Sequence, residues 1–180
     1  KFKNLILDKI IDLKDDGSFK LNMKYFDFAT GLKMTNENFS QLFGEPVRNS
    51  ETEKLTQFHM DIAASVQFAT EEIVLLIAKS ISKQSDSKNL CMAGGVALNC
   101  VANGKIVKEK IFENVWIQPA AGDAGGALGA ALGLWHEELK NERLLPIEDK
   151  MKGSYLGPKF NNSEIESVLK RIGATYNKLS

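Results

Sequence analysis

Two apolar stretches that break at glycines constrain this chain more than anything else in it. Leu90-Cys91-Met92-Ala93-Gly94-Gly95-Val96-Ala97-Leu98-Asn99-Cys100 is answered further on by Pro119-Ala120-Ala121-Gly122-Asp123-Ala124-Gly125-Gly126-Ala127. Each run has the look of a strand that ends in glycine and gives way to a small-residue, helix-compatible stretch. A strand entering a helix through such a turn leaves the first backbone N–H groups unpaired at the positive end of the helix dipole, an arrangement that suits phosphate. A pair of these turns points to a nucleotide cleft rather than to one tight turn.

The rest of the chain supplies the frame. Its 180 residues suffice for one domain, or one domain and a fragment, with a real core. Lys+Arg and Asp+Glu each number 23, so no net charge draws the chain to nucleic acid or to an anionic membrane. No apolar run reaches the roughly 20 residues that a membrane helix needs. Cys91 and Cys100 fall in a predicted strand and helix and read as buried thiols of a reducing compartment, which places the protein in the cytoplasm. Lys1 opens the sequence and helical periodicity is already running at Phe2, so a piece of a longer protein is expected.

Periodicity predicts a helix over 2–13, a turn at Asp15-Asp16-Gly17-Ser18 and a short strand over 19–23. Thr35 caps a short helix that runs through Phe43 and stops at Gly44-Glu45-Pro46. Residues 49–58 read as a surface connection. A long helix from Met60 to about Ile81 follows, apolar on more than one side, with Glu71 and Glu72 pointing outward. Strand 89–93, helix 97–109, strand 114–118 and helix 124–139 then make a βαβα series with parallel neighbouring strands. Residues 146–154 read as a linker, and Ser163 caps a last helix over 164–172.

Each candidate residue has two readings. Gly94 and Gly95, with Val96 and the Asn99 amide, either contact phosphate and ribose or form a tight strand-to-helix turn. Asp123 between Gly122 and Gly125-Gly126 either ligates a cation shared with nucleotide phosphates or caps a helix. Asp61 and Gln67 either border a substrate pocket or, for Asp61, cap the helix, whereas Ser65 reads as a hydrogen bond to its own helix. His59 and His136 lack a second histidine at metal-binding spacing and read as surface residues. Trp116 and Trp135 read as core or interface anchors, and Phe26, Phe28, Phe39 and Phe43 as a satellite cluster. No residue stands out as a catalytic acid, base or nucleophile.

The two glycine motifs, extended through Val101-Ala102-Asn103-Gly104-Lys105 and Leu128-Gly129-Ala130-Ala131, closely resemble the signatures of the nodulation-type O-carbamoyltransferases. Similarity continues at Tyr25-Phe26-Asp27, Leu42-Phe43-Gly44, Asp61 to Gln67 and Tyr155-Leu156-Gly157-Pro158. The resemblance implies an α/β fold: the second lobe of an actin-like ATPase (ribonuclease-H-like) domain over 1–145, a linker, and the start of a YrdC-like domain over 155–180. It also implies ATP and carbamoyl phosphate as substrates, a carbamoyl adenylate made in the YrdC-like domain, and transfer to a hydroxyl of a sugar or natural-product acceptor. It further implies a divalent metal in the actin-like domain, iron in relatives, held by two histidines and an aspartate-type set.

Carried over by position, Asp123 matches the metal-binding aspartate, and Gly94, Gly95, Val96 and Asn99 match the nucleotide-contact segment. Gly122, Gly125 and Gly126 line the same cleft. The histidine pair and first phosphate loop are expected upstream of Lys1 and the carbamoyl phosphate site downstream of Ser180, so the 180 residues alone are expected to be inactive. A sugar kinase or threonylcarbamoyl transferase of the same fold, and a non-enzymatic α/β module, remain as alternatives.

Overall fold

A computed structural model describes residues 1–144 and 151–179, which fall into two compact units, 1–130 and 131–180. The first unit is organised along one helix. α1 (Lys3–Leu5) continues as a wider π-type turn over Ile6–Ile10, and the chain then extends into β1 (Ile11–Leu13). The helix expected over 2–13 therefore stops at Ile10. The next residues pair instead with β2 (Phe19–Leu21), in an antiparallel register of Ile11 with Leu21 and Leu13 with Phe19. The Asp15-Asp16-Gly17-Ser18 turn closes that hairpin through Lys14 N–H to Ser18 C=O, and a β-branched residue at position 11 fits the pleated pair better than a helix.

α2 (Glu37–Phe43) is capped by Asn36, whose side chain accepts from Asn38 N–H, and not by Thr35, which bridges to Phe26. Gly44 ends it in the left-handed conformation. α3 runs from Gln57 to Gln84, longer at both ends than periodicity indicated. Thr56 and His59 form a capping box at its start, the His59 ring nitrogen accepting from Thr56 N–H at 3.0 Å. At 28 residues α3 spans about 42 Å, enough to serve two clusters in turn. Near its N-terminal half Ala69 meets Ile6, Ile10, Tyr25 and Phe43, with Phe2, Phe26, Phe39 and Phe58 around them. The Phe26, Phe28, Phe39 and Phe43 rings form a continuous series at centroid distances of 4.5–6.2 Å. Near its C-terminal half Leu75 and Ala78 pack on Ile106 and Phe112.

The expected βαβα series is present. β3 (Asn89–Met92), α4 (Cys100–Lys108), β4 (Asn114–Ile117) and α5 (Gly125–Gly133) follow one another, and β3 and β4 are parallel neighbours with Met92 opposite Ile117. Helix 97–109 differs in one respect. A 3₁₀ turn over Gly95–Leu98 comes first, and extended backbone at Asn99 separates it from α4. Helix 124–139 likewise breaks at Gly133, where π-type turns over Leu134–Glu138 take over.

The strand pair buries one face. Leu90, Met92 and Val115 turn toward Ile106, while Cys91 and Trp116, opposite each other in register, lie on the other face and are exposed. Cys91 is thus not a buried thiol, because strand side chains alternate. Cys100, at the first position of α4, is exposed as well. Both cysteines are free, and neither is shielded as the sequence reading required.

In the second unit Trp135 is about half exposed and so is no core anchor; His136 is partly covered and faces the Asn141 carbonyl at 3.1 Å. Residues 146–150 of the linker lie outside the described residues, and Lys152–Ser154 makes a single 3₁₀ turn. α6 (Asn162–Arg171) is capped by Asn161 rather than Ser163, in a reciprocal box with Glu164. None of these elements contains a buried residue.

Ile106 is fully buried where α3, α4 and the strand pair meet. Replacing Ile106 with Ala should destabilise the fold by about 3 kcal/mol, the usual loss for a cavity of that size. Urea denaturation followed by circular dichroism reads the change as a lower midpoint at unchanged slope.

Candidate functional site: the joined glycine turns

β3 and β4 end at the same edge, and their pairing does not stop with the strands. Gln118 N–H donates to Met92 C=O at 3.0 Å, and Gly94 N–H donates to Ala121 C=O at 2.8 Å. The second bond fastens the two glycine turns to each other at the carboxyl ends of adjacent parallel strands, where open α/β sheets present their ligand crevices. Gly94 holds φ +99° and ψ 159°, a conformation essentially closed to residues with a Cβ. Ala97 N–H folds back to Gly94 C=O and Asn99 N–H to Val96 C=O, both at 3.0 Å. Gly95 and Val96 form the first half of that turn, and both residues are exposed. Val96 also lines an apolar groove of about 600 Å³ with Ile6, Phe19, Val66 and Ile77.

In the second turn Gly125 N–H donates to Gly122 C=O, and Gly126 N–H to Asp123 C=O. A Cβ on Gly125 would collide with the Ala120 carbonyl oxygen, so close approach of backbone requires glycine there. Asp123 sits exposed on this turn. Its carboxylate has no hydrogen-bond or ion-pair partner among the described residues, and no group of three His, Cys, Asp or Glu able to hold a metal occurs among them.

Behind the first turn lies a polar chain that sequence reading did not assemble. Asn99 Nδ2 donates to Gln67 Oε1 at 2.9 Å, and Gln67 Nε2 donates to Asn99 Oδ1 at 3.1 Å. Asn99 Oδ1 also accepts from Ala102 N–H, capping α4. Gln67 Nε2 donates further to Glu71 Oε1 at 2.7 Å, and the other Glu71 oxygen pairs with Lys105 Nζ. Glu71, expected to point outward, is buried. Lys105 and then Gln67 bond its carboxylate and hold its pKa below the ordinary value near 4.5, against the opposing effect of burial. The same bond raises Lys105 above its ordinary 10.5, and Glu72 and Glu109 act in the same direction. Gln67 and Glu71, spaced i and i+4 on α3 among apolar residues, were the available signal for this chain. Asp61 and Ser65 stay out of it: Asp61 accepts from Gln57, and Ser65 donates to Asp61 C=O while accepting from Phe2 N–H.

Residues 1–132 match the family model for the carbamoyltransferase N-terminus. The chain belongs to the nodulation-type carbamoyltransferase family. An uncharacterised protein of Synechocystis sp. is 58% identical over 170 residues, 94% of this chain and 28% of that protein. Nodulation protein NolNO of Sinorhizobium fredii is 49% identical over 82 residues, 46% of this chain and 12% of its own length. Nodulation protein NolO of Bradyrhizobium diazoefficiens is 43% identical over 109 residues, 61% of this chain and 19% of its own. The chain therefore spans less than a third of each of these relatives. Both glycine turns and the polar chain behind them fall within the part that matches the carbamoyltransferase family. No helix among the described residues is long and apolar enough to cross a membrane.

Two outcomes follow for this chain. Gly94→Ala should lower stability by about 1–3 kcal/mol through backbone strain, measured as a fall in the denaturation midpoint. The Glu71–Lys105 pair should shape stability against pH. With its pKa lowered, Glu71 contributes fully above about pH 4.5 and loses that contribution as pH falls through its folded value. With its pKa raised, Lys105 contributes fully below about pH 10.5 and loses it as pH rises through its folded value. Urea midpoints across that range should show Glu71→Gln losing both limbs.

Proposed function

We propose that these residues serve ATP-dependent carbamoyl transfer, as part of a longer protein, in the second lobe of an actin-like domain followed by a YrdC-like domain. The donor is carbamoyl phosphate. Water cleaves its phosphate to leave carbamate, whose oxygen attacks the α-phosphorus of ATP with release of pyrophosphate to give carbamoyl adenylate. An acceptor hydroxyl then attacks the carbamoyl carbon, forming the carbamate ester as AMP leaves with loss of the hydroxyl proton. The observation that carries this reading is the Gly94 N–H to Ala121 C=O bond. It sets two glycine turns side by side at one sheet edge, as a pair of phosphate-facing loops requires.

Within that reading Gly94, Gly95 and Val96 present backbone to the nucleotide phosphates, and Gly122, Gly125 and Gly126 keep the neighbouring turn free of side chains. The unengaged, exposed carboxylate of Asp123 fits one ligand position of a metal ion, the remaining ligands coming from outside this chain. A bound metal would supply positive charge against phosphate or carbamoyl oxygens. Half of such a cleft does not hold reacting groups from both sides, so these residues alone should show no transferase activity.

Calorimetry of ATP binding to the full-length protein, with and without divalent metal, tests the assignment. Asp123→Ala should weaken metal-dependent ATP binding about tenfold or more, while binding without metal is unchanged. Equal binding by both proteins in the presence of metal would remove Asp123 from the ligand set.

A further inference from the structure

We infer that Gln67 is a positioning residue for the nucleotide-facing turn: through a reciprocal amide pair with Asn99, and braced by Glu71, it sets the conformation of residues 94–99. This rests on the nucleotide reading of that turn and adds to it a residue from outside both glycine motifs.

The valence of Asn99 carries the inference. Its side-chain oxygen accepts from both Ala102 N–H and Gln67 Nε2, which fills it, and one of its two amide hydrogens goes to Gln67 Oε1. Most of the Asn99 amide is thus spent inside the protein. Its main work is to hold the junction where the 3₁₀ turn becomes α4, with one N–H remaining to offer outward. Asn103 holds the same turn from the far side, donating from Nδ2 to Ala97 C=O at 2.7 Å.

Gln67 is fixed in turn. An amide on a helix can rotate its oxygen and nitrogen by 180° and present either to Asn99. Glu71 Oε1 accepts only, so Gln67 must aim Nε2 toward it and Oε1 toward Asn99 Nδ2. Glu71 is held by Lys105, which lies on α4 beyond Asn99. The chain Asn99–Gln67–Glu71–Lys105 therefore leaves α4 at its first turn and returns two turns later, a closed loop of polar contacts between α3 and α4. Buried ion pairs seldom add much stability, whereas a fully satisfied polar network selects one geometry. Here the geometry selected is that of the turn.

The test uses the full-length protein. Gln67→Met keeps the volume and loses both amide bonds; Glu71→Leu removes the brace; Glu71→Gln lets position 71 donate as well as accept, so that Gln67 is no longer held to one orientation. For Gln67→Met and Glu71→Leu the expected result has two parts. The KM for ATP rises about tenfold with kcat within about twofold. Hydrogen–deuterium exchange quickens at the Ala97 and Asn99 amides more than in α4. Glu71→Gln should move both readouts in the same direction, by less than Glu71→Leu. Lowered thermal midpoints with unchanged KM and unchanged turn exchange would make the chain a helix–helix staple and overturn the inference. If the wild type binds no ATP while turn exchange still responds to Gln67→Met, the nucleotide reading fails and the positioning role stands.

Discussion

Four paired residues on each side make a weak parallel ladder, and β3 with β4 persists because other contacts extend and back it. The ladder is lengthened past its ends by Gln118 N–H to Met92 C=O and Gly94 N–H to Ala121 C=O. It is backed on one face by Leu90, Met92 and Val115 against Ile106. The location of the glycine turns depends on that pairing. Were β4 shifted by one residue, its buried and exposed faces would exchange, and Gly94 would no longer meet Ala121.

α3 transmits the constraint. Its first half is anchored in the aromatic cluster of Phe2, Phe26, Phe39, Phe43 and Phe58, and its second half in the cluster around Ile106. Between the two it carries Gln67 and Glu71, facing the start and the body of α4. The aromatic cluster thus does more than close the N-terminal hairpin. It fixes the helix from which the polar chain reaches the turn, and so ties residues remote in sequence to the site.

The turns themselves were legible because glycine leaves a distinctive mark: φ +99° at position 94 and the close approach of Gly125 to the Ala120 carbonyl each admit little else. The βαβα order was legible from periodicity, and the family from the wording of both motifs. Errors clustered where tertiary contacts override local preference. Ile11 to Leu13 continue a helical pattern but pair with β2. Cys91 is apolar in character but falls on the uncovered strand face. Glu71 reads as a surface carboxylate until Lys105, far along the chain, is brought against it.

By itself the sequence determined much of the local geometry: where strands break, where glycine must stand, and that a glycine turn follows each of two strands. The tertiary structure alone decided that those turns share a hydrogen bond, that Asn99 is mostly occupied within the protein, and that a buried carboxylate stands behind it. The physical reason is range. Backbone preference and hydrophobic period act over a few residues and are written in the order of the chain. A bond from Gln67 to Asn99, or from Gly94 to Ala121, depends on which distant segments the core brings together.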